Sequence, residues 1–232
     1  MSSAVTVTAD ASSAPSLTTE QKAMLAAPPV LIGTMYVAFQ QLADRLGFPL
    51  GYLVGFGLYW VVWCFALPTA VLGPRRVAAL FLPGRVSFAQ LGTTTQALLW
   101  WPVAFPLVFA FLPRIAAASV PIVLASVALG IIIGITEELL WRGVYVTLFP
   151  DNFWLNTIYP SVAFGLWHLC PLSTLPSRYP GGAVSFAAYS MALGLSYAHY
   201  ARKTRSIAWC TVSHCVHDAL GLGGFAYITW LR

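Results

Sequence analysis

Apolar residues gather along this chain in blocks of roughly 18 to 25, the length a helix needs to cross a hydrocarbon layer about 30 Å thick. Short polar or Pro/Gly-containing stretches separate them. The pattern predicts seven spans, over about 24–43, 50–73, 96–113, 119–149, 153–171, 182–201 and 206–230. The first has the weakest signal, because Pro28 and Pro29 fall inside it and Gln40 and Gln41 near its end, and an interfacial helix is its alternative. The expected architecture is all-α, a polytopic transmembrane bundle of about seven helices. Residues 1–22 are expected as a disordered polar tail and 23–232 as one membrane-embedded helical domain. The Ser-, Thr- and Ala-rich start has no basic stretch followed by an apolar run and cleavage site, so no signal peptide is expected.

Composition strengthens the membrane reading. Only 8% of the residues are charged, against about 25% in an average soluble domain, too few to cover a water-facing surface. The +5 balance gives no reason to expect nucleic acid, because position matters more than the sum. With seven spans, Lys22, Arg75, Arg76, Arg85, Arg202, Lys203 and Arg205 fall on one side and Arg45, Arg114, Arg178 and Arg232 on the other. Basic residues near span ends are retained in the cytoplasm, which puts the N-terminus inside. Cys64, Cys170, Cys210 and Cys215 lie in or beside apolar blocks without Cys-x-x-Cys spacing and read as packing residues.

The chemistry is carried by the ionisable residues that the apolar blocks tolerate, since each costs a few kcal/mol near the bilayer centre. Glu137, Glu138 and Arg142 follow a long apolar run, His168 lies in the next block, and His214, His217 and Asp218 lie in the last. Three of seven acidic residues and three of four histidines thus fall in three short segments. Glu138 and Arg142 are four apart and share a helix face, as expected for a structural ion pair. Glu137 is rotated about 100° away and is free to face the bundle. His214, His217 and Asp218 lie on or near one face of their own helix. If the fourth span runs to about 149, Glu137, His168 and His214 lie about 18, 22 and 12 Å from the same ends of their helices and are able to meet. His199, beside Tyr200 and a basic pair, reads as interfacial, and the many aromatics as belts and packing.

The ordered trio Glu137-Glu138-x-x-x-Arg142, Phe164-x-x-x-His168 and His214-x-x-x-Asp218 resembles the motifs of the CAAX prenyl protease type II and bacteriocin-processing family of intramembrane proteases. It covers about 85 residues, from Gly134 to Asp218. The resemblance implies that Glu137 and His168 activate a water, that His214 and residue 218 stabilise the oxyanion, and that Glu138 with Arg142 is structural. It also implies a membrane-attached peptide or protein substrate, prenylated in the best-known relatives. Family members commonly carry Asn where this chain has Asp218, and an ionised carboxylate only accepts hydrogen bonds. Asp218 is therefore read as protonated, as orienting His214, or as binding a cation.

Glu137, His168 and His214 would also make a reasonable zinc set. Metal-free activated water is preferred, because His-Glu-x-x-His and His-x-x-Glu-His are absent; zinc stays open. A serine mechanism has no Gly-x-Ser-x-Gly elbow to support it. The rivals are a haem protein with His168 and His214 or His217 as ligands, a transporter or proton relay, and a catalytically silent scaffold or immunity factor. The oligomeric state is left open.

Overall fold

A computed structural model describes residues 16–175 and 180–229, without the side chains of Ala117 and 222–229. Among the described residues there are eight helices and no strand: α1 Thr19–Leu46, α2 Leu50–Leu72, α3 Pro74–Leu80, α4 Thr93–Phe111, α5 Val120–Leu148, α6 over 154–172, α7 Gly182–Thr204 and α8 Ala208–Thr229. The all-α bundle expected from the sequence is the fold. Among these residues four helices, α1, α2, α4 and α5, are long and apolar enough to cross a membrane. The C-terminal segments expected as spans are helical too, but α7 and α8 mix small and polar residues among their apolar ones.

α1 begins at Thr19, inside the stretch expected as tail; residues 1–15 and Arg178 and Arg232 lie outside the described residues. The start is set by a capping box: Gln21 N donates to Thr18 Oγ1 at 3.2 Å, and Thr18 N to Gln21 Oε1 at 3.0 Å. Pro28 and Pro29 lie inside this one continuous helix, as proline can in an apolar bundle whose neighbours accommodate the freed backbone groups.

The periphery is apolar. Val61, Phe109, Val120, Leu124 and Val184 are each between 63% and 78% exposed, a surface suited to acyl chains rather than water. One end of the bundle gathers the start of α1, the segment after α3, the α5–α6 turn and the α7–α8 turn. Gln21 Nε2 donates to Leu148 O at 2.7 Å, Arg85 N to Thr204 O at 2.9 Å, and Ile207 N to Leu80 O at 2.9 Å. Arg205 pairs with Asp151 there at 3.5 Å. The basic residues read as one topological group from the sequence therefore belong to segments tied together at one end.

The most extensive helix pair is α5 with α8, and its closeness comes from two glycines one turn apart. A Cβ on Gly130 would stand 2.7 Å from Ala219 N and Cys215 O, and one on Gly134 would stand 2.6 Å from Cys215 Sγ and 2.7 Å from its amide N. Only hydrogen fits at either position. This small-xxx-small notch lets the two backbones approach and sets their register. The register carries α5 past Cys215 to Glu137 and Glu138, beside His214. α6 and α7 meet in the same manner, with Gly165 against Ala187 and Met191, and Gly194 against Ser161.

Candidate active site

Glu137 and Glu138 close the α-helical part of α5, and residues Leu139–Val144 continue it as a wider π turn. Such turns recur at functional sites because they let neighbouring side chains leave the regular helical spacing. Glu137 is 3% exposed, Glu138 0%, Arg142 1% and His214 2%. Charged side chains at such burial need partners, since the desolvation cost is several kcal/mol per ion.

Glu138 meets two of them. Arg142 Nη1 lies 3.0 Å from Glu138 Oε1, the i, i+4 ion pair, and the guanidinium also sits over the Phe164 ring at 4.4 Å and the Tyr197 ring at 5.5 Å. His214 Nδ1 lies 2.7 Å from the same Oε1. The pair read as structural thus also holds a site imidazole, a role the sequence did not disclose because helix spacing says nothing about contacts across helices.

With Nδ1 held, His214 turns Nε2 toward two other carboxylates, Asp218 Oδ2 at 3.4 Å and Glu137 Oε2 at 3.8 Å. Three carboxylates from two helices surround one imidazole. Tyr197 supports the ring from α7, 5.4 Å between centroids, with its hydroxyl 3.0 Å from Ser213 Oγ. Asp218 Oδ1 also lies 3.7 Å from His217 Nε2.

His217 makes a different connection. Its Nδ1 lies 2.7 Å from Pro102 O, and a carbonyl only accepts, so the ring donates. The carbonyl of residue 102 is the one whose helical donor would be the amide of residue 106. Residue 106 is proline and has no N–H, and His217 takes its place. Its ring also stacks on Tyr189 at 5.8 Å. His217 is thereby a tie between α8 and α4 at the border of the cluster.

His168 lies across Phe164 from this cluster. Its ring is 4.8 Å from Phe164, which is 6.1 Å from His214 on its other contact. The sequence predicted His168 inside one unbroken span, whereas α6 breaks at that residue into 154–167 and Leu169–Leu172. Pro171 explains the break, because its ring conflicts with the carbonyl of residue 167, one helical turn back. The chain tightens there, with His168 N on Gly165 O at 3.3 Å, and the Phe164 carbonyl accepts from His168 Nδ1 at 2.8 Å instead. That bond places a proton on Nδ1 and leaves Nε2 as the ring's remaining nitrogen. Among the described residues no hydrogen bond or ion pair joins Glu137 directly to His168.

A metal would need three or more converging donors. Among the described residues no group of three or more His, Cys, Asp or Glu side chains is so disposed, the set Glu137, His168 and His214 included. His214 Nδ1 is engaged by Glu138, and His168 is separated from it by Phe164. The four cysteines are free, three of them buried.

The sequence reading also left Tyr59 and Trp141 unassigned. Trp141 Nε1 donates to Tyr59 OH at 2.7 Å, and the π turn that carries Tyr59 and Cys64 packs against the part of α5 that ends in Glu137 and Glu138. A signal for the helix pairing was readable in Gly130-x-x-x-Gly134, just ahead of Glu137. None was readable for Tyr59, whose segment is uniformly apolar.

No curated protein and no solved structure matches the chain. Residues 119–220, which contain Glu137, Glu138, Arg142, His168, His214, His217 and Asp218, match the family model described as Type II CAAX prenyl endopeptidase Rce1-like. Through that region the chain is similar to the CAAX prenyl protease type II and bacteriocin-processing family, a family of membrane proteases, in keeping with the four described helices that are long and apolar enough to cross a membrane.

Proposed function

We propose that the protein is an intramembrane endopeptidase in which Glu137 and His168 activate a water to hydrolyse a peptide bond of a membrane-attached peptide or protein. The observation that carries the reading is the meeting of buried Glu137 and His214 with half-buried Asp218 across two helices. Glu137 is the only carboxylate of the α5 pair not committed to Arg142. Water gives its proton to Glu137 as its oxygen bonds to the carbonyl carbon; the C–N bond then breaks and the proton passes from Glu137 to the leaving amine. His168 Nε2 orients the water. His214, held through Nδ1, presents Nε2 to the carbonyl oxygen as it becomes negative, and such a donor is worth about 3 to 4 kcal/mol. Asp218 keeps that ring in place from one turn further along α8.

This reading uses no metal, since His214 Nδ1 is engaged by Glu138 and Phe164 stands between His214 and His168. The substrate is cut near the basic end of the bundle, which by its Arg and Lys content is the cytoplasmic side. Haem ligation by His168 and His214 has little to support it, because both nitrogens of His214 face carboxylates.

The test is cleavage of a membrane-anchored reporter peptide by the purified full chain in lipid vesicles. Glu137→Ala and His168→Ala should each abolish cleavage while the protein inserts and melts as the unaltered chain does. Full activity in either variant overturns the proposal.

A further inference from the structure

The residue that opens the π turn of α2, Tyr59, is completely buried, and its ring lies flat on Trp167 with centroids 3.6 Å apart and planes 18° from parallel. Trp141, one helical turn beyond Glu137, donates its indole N–H to the Tyr59 oxygen at 2.7 Å. An indole nitrogen only donates, so this bond occupies a lone pair on the phenol and directs the phenol's own proton elsewhere. The π turn that carries Tyr59 packs against the stretch of α5 that ends in Glu137 and Glu138, and two acceptors interact with the phenol, the Cys64 thiol and the Glu137 carboxyl. A thiol sulfur is a weak acceptor, whereas a hydrogen bond to a carboxylate is roughly twice as strong as one between neutral groups.

We infer that Tyr59 is a positioning residue for Glu137: its hydroxyl, aimed by Trp141, donates to the carboxylate and holds one oxygen so that the other takes the proton of the attacking water. Two π turns make this encounter. The one over Tyr59–Ala66 in α2 faces the one over Leu139–Val144 in α5, and each widens its helix beside the other. The base would then be set from three sides, by its own helix, by α8 and by α2. The third lies outside the region that matches the family, residues 119–220. The inference rests on the proposed function, since it assigns Glu137 the role of base.

The experiment measures kcat and KM separately for reporter cleavage by the purified full chain, with Glu137→Ala as a separate arm. Tyr59→Phe keeps the ring on Trp167 and removes only the hydroxyl. Its kcat should fall about 10- to 100-fold, the scale of one hydrogen bond to a charged group. KM should stay within about twofold, because the interaction serves the reaction and not binding. Trp141→Phe keeps the hydroxyl but frees its direction, and kcat should fall in the same manner by a smaller factor. Unchanged kcat in Tyr59→Phe, or a rise in KM alone, overturns the inference. If Tyr59→Phe fails to fold, unchanged kcat in Trp141→Phe overturns it instead. An active Glu137→Ala chain sinks the proposed function itself, whereas an inactive one beside a fully active Tyr59→Phe chain sinks only the positioning role.

Discussion

Glu138 Oε1 stands 2.7 Å from His214 Nδ1 and 3.0 Å from Arg142 Nη1, so one buried carboxylate oxygen both neutralises a guanidinium and aims an imidazole. Removing that carboxylate therefore has two separable effects. Glu138→Ala leaves Arg142 uncompensated at 1% exposure, and breaking such a buried pair costs about 3 to 5 kcal/mol. Glu138→Gln keeps an oxygen for His214 and should lose less stability. A thermal melt of Glu138→Ala indistinguishable from that of the unaltered chain would show that the pair contributes nothing to the fold.

Gly134 sets the distance between the carboxylates and His214. Gly134→Ala places a methyl group 2.7 Å from the Cys215 amide, and the overpacking should cost about 1 to 3 kcal/mol and push α5 from α8. Cleavage should fall while the chain still inserts, because apolar content is unchanged. Gly57→Ala, at a position with open space around it, is the control and should behave as the unaltered protein. Equal activity in both variants would mean that the close approach is unnecessary.

Asp218 tests which feature of residue 218 matters. Its Oδ2 faces His214 Nε2 at 3.4 Å, and an asparagine, the commoner residue in the family, offers an oxygen in the same place and adds a donor. Asp218→Asn should cleave the reporter within about threefold of the unaltered rate, whereas Asp218→Leu should lose about 100-fold, because His214 is then no longer held as the oxyanion's donor. An inactive Asp218→Asn chain would show that the negative charge itself is required.

The metal question has its own measurement. Reporter cleavage should be insensitive to a strong chelator, and zinc in the purified active protein should stay well below one atom per chain. Loss of activity on chelation with recovery on adding zinc would replace the activated-water reading with a metal-bound one.

Much of this was readable before any coordinates. Block length and the scarcity of charge determine a helical membrane bundle, because backbone polar groups in hydrocarbon must be satisfied within a helix. The cost of buried charge likewise marks Glu137, Glu138, Arg142, His168, His214 and Asp218, since few ionisable residues persist in apolar blocks without a purpose. The i, i+4 pairing of Glu138 with Arg142 follows from helix periodicity alone.

What tertiary structure alone decided concerns contacts between helices. Periodicity places side chains on a face but does not say which face meets which neighbour. That came from glycine notches on α5, from the Pro171 break that turns α6 at His168, and from the two facing π turns that bring Tyr59 to Trp141. His217 shows the same division: the sequence supplies an imidazole near Asp218, and packing makes that imidazole the hydrogen-bond donor to the Pro102 carbonyl that Pro106 leaves without a helical donor. Local sequence settles which groups must leave lipid, and packing settles which partners they find, because those partners lie dozens of residues away along the chain.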